Sequence, residues 1–97
     1  MPLTSSDVAR LKSLQKDIDI IDRRIADYNE KSAREQTNIA RKTSEAHRST
    51  SQTTISRLAR EIDACNVRIN SNNQQINAQL SSRLRKAQEY NRLLAKQ

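Results

Sequence analysis

The sequence predicts an all-α protein: a long antiparallel helical hairpin, joined along a narrow coiled-coil seam. Three observations predict it. The chain has no Gly and a single proline, Pro2, so nothing interrupts long helices. Ile and Leu recur every three or four positions over most of its length. The two apolar series run as mirror images on either side of Ala46–Ile55, AHRSTSQTTI. Disorder is the competing reading for so polar a chain, and the regular spacing weighs against it. With 34% hydrophobic residues and two tyrosines as the only aromatics, the 97 residues are too few and too polar for a multilayer core but sufficient for a seam.

The first helix is expected over about residues 5–46. Thr4, Ser5 or Ser6 can accept from its first free N–H groups, and Asp7 suits the positive first turn. Its seam runs Val8, Leu11, Leu14, Ile18, Ile21, Ile25, Tyr28, with heptad spacing after Leu11. Acid–base pairs four residues apart decorate the outside: Asp19–Arg23, Asp27–Lys31 and Glu30–Arg34. The same register continues through Ser32, Glu35, Ile39, Lys42 and Ala46, where polar residues dominate. The helices either splay there or the polar positions find partners across the seam; Glu35 and Lys42 are expected to reach water.

The turn is expected over about 47–53. Its serines and threonines favour caps and turns over helix interiors, and without Gly it must be an open turn of ordinary residues. The second helix, over about 54–95, carries Ile55, Leu58, Ile62, Cys65, Ile69, Asn72 or Asn73, Ile76, Leu80, Leu84, Ala87, Asn91 and Leu94 on its seam. Two consecutive steps of four, Ile76 to Leu80 to Leu84, read as a stutter in the heptads. The polar run 71–75, SNNQQ, is the weakest point and a candidate second bend, although Ile69 and Ile76 keep heptad spacing across it.

Facing positions of an antiparallel pair have residue numbers with one sum. Ile39 with Ile62, Ile25 with Ile76 and Ile21 with Leu80 all give 101, which centres the hairpin between Thr50 and Ser51. One continuous helix in a parallel dimer is the rival arrangement. Residues 1–97 are expected to form a single unit. So small a core also predicts assembly into a dimer or higher helical bundle.

The formal charge is +7, of which residues 49–97 carry +5 (eight Lys/Arg against three Asp/Glu). Arg83, Arg85, Lys86 and Arg92 form a candidate partner-binding cluster near the carboxyl end, although cations there also suit the helix dipole. Nucleic acid is the less favoured partner, because no Phe or Trp is present for base stacking.

No residues are nominated for catalysis, for a cofactor or for a metal. His47 stands alone at the turn, Cys65 falls on the seam as a small thiol, and Asp17, Asp19 and Asp22 read as a solvated face. No Gly-rich phosphate loop, HExxH or CxxC is present. The amino terminus lacks a signal-peptide core and no window approaches a membrane span, so the cytoplasm is the expected location.

The run Ile39–Ile62, IARKTSEAHRSTSQTTISRLAREI, resembles the amino-terminal coiled-coil region of bacterial TIR-domain proteins. The similarity rests on Thr53, Ser56, Leu58, Glu61 and Ile62 after the turn, with Thr43 and Ser44 before it. It covers about a quarter of the chain and includes no TIR domain. The resemblance implies a regulatory segment whose self-association controls a linked NAD-cleaving enzyme in signalling or defence. A coiled-coil module that self-associates or docks a partner, a TIR domain among the possibilities, is therefore the expected function; a basic nucleic-acid-binding helix is the alternative.

Overall fold

A computed structural model describes residues 2–96. The protein is an all-α helical hairpin of two long helices, α1 (Ser5–Arg48) and α2 (Gln52–Leu94). α2 runs without a break through Ser71–Gln75, so that run is helix and not a second bend.

The helix ends are set by hydroxyl groups. Thr4 and Asp7 form a reciprocal capping box: the Asp7 N–H donates to Thr4 Oγ1 at 3.0 Å and the Thr4 N–H donates to Asp7 Oδ2 at 3.2 Å. The Thr4 N–H, with smaller help from its hydroxyl and from Lys96, holds the Asp7 carboxyl below its ordinary range. Ser51 caps α2, its Oγ accepting from the Thr54 N–H at 3.3 Å and its carbonyl from the Ile55 N–H at 3.0 Å. The Ser49 N–H is shared between the carbonyls of Glu45 and Ala46, at 3.0 and 3.3 Å, and Ser49 Oγ accepts from the Ser51 N–H at 3.1 Å. The connection is thus three residues, Ser49–Ser51, shorter than the expected 47–53. Hydroxyl caps let both helices start and stop sharply, and no described residue adopts positive φ. Thr4→Ala or Ser51→Ala is expected to cost about 1 kcal/mol each by chemical denaturation, whereas Ser5→Ala costs close to nothing.

The hairpin packs as two compact units, each drawing on both helices: Met1–Ala26 with Ile76–Gln97, and Asp27–Gln75. In the first, Leu14, Ile18 and Ile21 form the buried core. Three ion pairs cross between its helices there: Arg10–Glu89 at 2.6 Å, Asp22–Arg83 at 2.7 Å and Asp17–Lys86 at 3.3 Å. A fourth, Asp7–Lys96 at 3.7 Å, ties the first turn of α1 to the residues just after α2.

Here the expected stutter fails. Leu80 is 47% and Leu84 59% exposed. The half-buried positions after Ile76 are instead Gln79, Ser82, Arg83, Lys86, Ala87, Glu89, Tyr90 and Leu93, among which the alternating three- and four-residue step simply continues. Two successive steps of four carry Leu80 and Leu84 round the helix and out of the seam. Arg83 and Lys86 are half-buried in their place, with their charges on Asp22 and Asp17. Val8, expected on the seam, is 41% exposed, since it lies one turn from the helix end.

In the second unit Leu58 and Cys65 are buried. Ile39, Ile55, Ile62 and Ile69 are half-buried around them. The Asn72 side-chain amide donates to Ser32 Oγ at 3.2 Å. Glu35 and Lys42 do not reach out to water as expected: Glu35 pairs with Arg68 at 3.0 Å and Lys42 with Glu61 at 3.4 Å. Both therefore take the other course open to seam polar groups, a partner on the facing helix, because a paired charge escapes most of the desolvation cost.

Pairs in each unit report the antiparallel register. Asp7–Lys96, Asp17–Lys86, Glu35–Arg68 and Lys42–Glu61 all have residue numbers adding to 103, against the 101 expected for facing core residues. Ion pairs bracket a seam diagonally and do not sit on it, so an offset of two residues leaves the antiparallel arrangement intact.

Candidate interaction surface

The candidate basic cluster lies in the first unit, which holds ten Lys/Arg against five Asp/Glu, a net of +5. The part of α2 within it contributes five cations and a single carboxylate, Glu89. The four nominated cations divide into two pairs by role. Arg83 and Lys86 are structural, half-buried and spent on Asp22 and Asp17; the Asp22 hydrogen bond raises the Arg83 guanidinium above its ordinary pKa. Arg85 and Arg92 are exposed, and neither forms an ion pair among the described residues. Arg92 Nε donates only to the Gln88 carbonyl, at 3.4 Å.

A shallow depression of about 380 Å³ gathers Arg10, Arg85, Lys86 and Arg92 with Ser82, Gln88 and Glu89. Glu89 Oε2 accepts from Arg10 Nε at 2.9 Å and from Arg10 Nη2 at 2.6 Å. A second depression, of about 300 Å³, is lined by Asp17, Ile20, Ile21, Arg24, Gln79, Ser82 and Lys86. Ile21 thus lines it together with Gln79, Ser82 and Lys86, and Leu80 does not.

The displaced leucines form a surface of their own. Leu80, Leu84, Ala87, Asn91 and Leu94 follow a spacing of 4, 3, 4 and 3, so they share one face of α2. Leu80, Leu84 and Leu94 are the exposed large hydrophobics of that helix segment. The next row round the helix is Ser81, Arg85, Gln88 and Arg92, all exposed. Val8 is the exposed large hydrophobic of α1, next in sequence to Asp7 of the Asp7–Lys96 tie.

The second unit carries a polar cluster that the sequence did not suggest. Arg68 bridges Glu35 and Cys65, with Nε 3.0 Å from Glu35 Oε1 and Nη2 donating to Cys65 Sγ at 3.3 Å. Arg68 foremost, and the Cys65 thiol beside it, hold the Glu35 carboxyl below its ordinary value. The Arg68 guanidinium is raised in return by that same hydrogen bond to Glu35. Burial, then the hydrogen bond with Glu35 and its charge, push the Cys65 thiol up. A buried thiol with a raised pKa is a poor nucleophile. Glu35 Oε2 is buried and accepts no hydrogen bond. The mirror arithmetic gives the one sequence signal for this cluster, since it sets Glu35 and Arg68 nearly opposite.

His47 is exposed in the last turn of α1, with Arg48 beside it at the negative end of the helix dipole. Among the described residues no group of three or more His, Cys, Asp or Glu is arranged to hold a metal ion, and no helix is long and apolar enough to cross a membrane. The class defined by this architecture is a helical hairpin with an exposed apolar row edged by cations. No protein-family model, curated protein or solved structure matches the chain.

Proposed function

We propose that the chain is a structural coiled-coil module that works by self-associating or by docking a partner domain. The observation that carries this reading is the exposed row Leu80, Leu84 and Leu94, on a chain where few hydrophobic side chains among the described residues are fully buried. Covering such a row removes apolar surface from water at about 25 cal/mol per Å². It also adds burial to a hairpin too thin to bury much by itself.

The resemblance of Ile39–Ile62 to the coiled coils of bacterial TIR-domain proteins, which rests on the sequence alone, suggests one version of this reading. In it the hairpin is the regulatory segment of a cytoplasmic NAD hydrolase used in signalling or defence, and the partner is the TIR domain. Mixing the hairpin with an isolated TIR domain and following NAD loss tests that version directly; unchanged turnover rules it out.

Self-association is tested by sedimentation over a hundredfold range of concentration. Self-association requires a mass above 11.1 kDa and a melting temperature that climbs with concentration. A mass that stays monomeric at every concentration leaves docking of a different partner as the working form of the proposal. The exposed Arg85 and Arg92 favour a second reading, nucleic-acid binding, which requires affinity that falls steeply with added salt.

A further inference from the structure

The geometry points to a specific occupant for the Leu80–Leu84–Leu94 face: we propose that it docks an amphipathic helix of another protein, one whose apolar stripe is flanked by Asp and Glu. The inference rests on the reading of the chain as an interaction module, and it chooses between the two forms of that reading.

Two features of the face select the partner. Its row, Leu80, Leu84, Ala87, Asn91 and Leu94, keeps coiled-coil spacing with Asn91 as its one polar member and Ala87 half-buried, and a row of that kind accepts another helix with the same spacing. Its border then sets the charge of that helix. Arg85 and Arg92 stand next to the leucines, exposed and without ion-pair partners among the described residues. Four of the five carboxylates of this unit are already engaged: Asp22 by Arg83, Glu89 by Arg10, Asp17 by Lys86 and Asp7 by Lys96.

A second copy of the chain fits this border badly. Two such faces packed together bring Arg85 and Arg92 against the same residues of the other copy, and this unit carries +5. Like charges at flanking positions of a helix pair oppose assembly, and opposite charges select it. A nucleic acid would satisfy the arginines but leave the leucine row in water. An acidic amphipathic helix satisfies both.

The test uses the full chain and two synthetic helical peptides about three heptads long. Both carry the same leucine stripe; one has Glu at the flanking positions and the other Lys. Binding is followed by fluorescence anisotropy. The Glu-flanked peptide is expected to bind, and the Lys-flanked one to bind at least about tenfold more weakly. Leu80→Gln with Leu84→Gln is expected to weaken the Glu-flanked peptide by at least about tenfold while leaving the helical circular dichroism unchanged, since both residues are exposed. Arg85→Glu with Arg92→Glu is expected to reverse the preference between the peptides.

Equal binding of both peptides, no binding of the Glu-flanked one, or indifference to the Leu→Gln pair overturns the proposal. So does an RNA or DNA oligonucleotide that displaces the Glu-flanked peptide and still binds the Leu→Gln variant. Sedimentation of the same samples separates this failure from failure of the broader reading. A wild-type dimer dissolved by the Leu→Gln pair shows that a second copy occupies the face, which overturns the acidic partner and retains the interaction module.

Discussion

Leu14→Ala and Leu58→Ala are each expected to lower the stability of the fold by about 2–5 kcal/mol, a large part of the total for a chain of this size. The two leucines are fully buried, at 0% and 1% exposure. They belong to different units, Leu14 to the one closed by the chain ends and Leu58 to the one that contains the turn. Each truncation removes a large side chain from a core with few others, so little remains nearby to collapse into the space. Urea melts followed by circular dichroism measure both. Val67→Ala is the control: Val67 is 66% exposed, and its loss should stay within about 0.5 kcal/mol. A Leu14→Ala melt that overlays the wild type contradicts the burial on which the fold rests.

The second large effect is expected from Glu35 and appears as a dependence on pH. In the folded chain its carboxyl titrates below its ordinary value, because Arg68 donates to it. In the unfolded chain it titrates normally and binds protons more readily. Its contribution to stability is therefore fully present above the ordinary carboxylate range. It is lost as the pH falls through the lowered, folded-state value. Glu35→Gln should flatten part of the acid limb of the stability curve. Asp7 is shifted the same way by the Thr4 N–H, so some acid sensitivity persists in that variant.

Arg68→Met should destabilise at neutral pH and much less in acid. It leaves a half-buried carboxylate, 16% exposed, without its cation. Arg57→Met is the comparison, since Arg57 meets Glu61 on its own helix and Glu61 also has Lys42; its loss should be the smaller. Identical acid limbs for wild type and Glu35→Gln would show that the pair contributes nothing.

Periodicity made much of the fold legible in the sequence. The helix count, the antiparallel pairing and the place of the turn all follow from apolar spacing and from its reflection about the Ser/Thr stretch. Among the described residues the five buried ones, Leu14, Ile18, Ile21, Leu58 and Cys65, lie on the expected seam. The misreading near the carboxyl end has a physical source. Counting apolar residues assigns Leu80 and Leu84 to the interior and Arg83 and Lys86 to the exterior. A long cationic side chain reverses that when a carboxylate waits at the right height on the other helix. Those carboxylates, Asp22 and Asp17, are 61 and 69 positions away in the chain. No local window contains both partners.

The same blindness hid the cluster of Glu35, Arg68 and Cys65 and the freedom of Arg85 and Arg92. The basic cluster reads as one patch in sequence; only pairing across the hairpin separates cations that hold the fold from cations available to a partner.

The solitary thiol has a further consequence. Cys65 is completely buried and is the only cysteine in the chain. An alkylating reagent in solution therefore has a single target, and it reaches that target only when the helices around it part. The thiol's raised pKa keeps it mostly unreactive until then. The rate at which label accumulates, set against the rate for a free thiol, thus reads out how often this stretch of the hairpin breathes. The protein carries its own clock for local opening, and no engineered probe has to be inserted to read it.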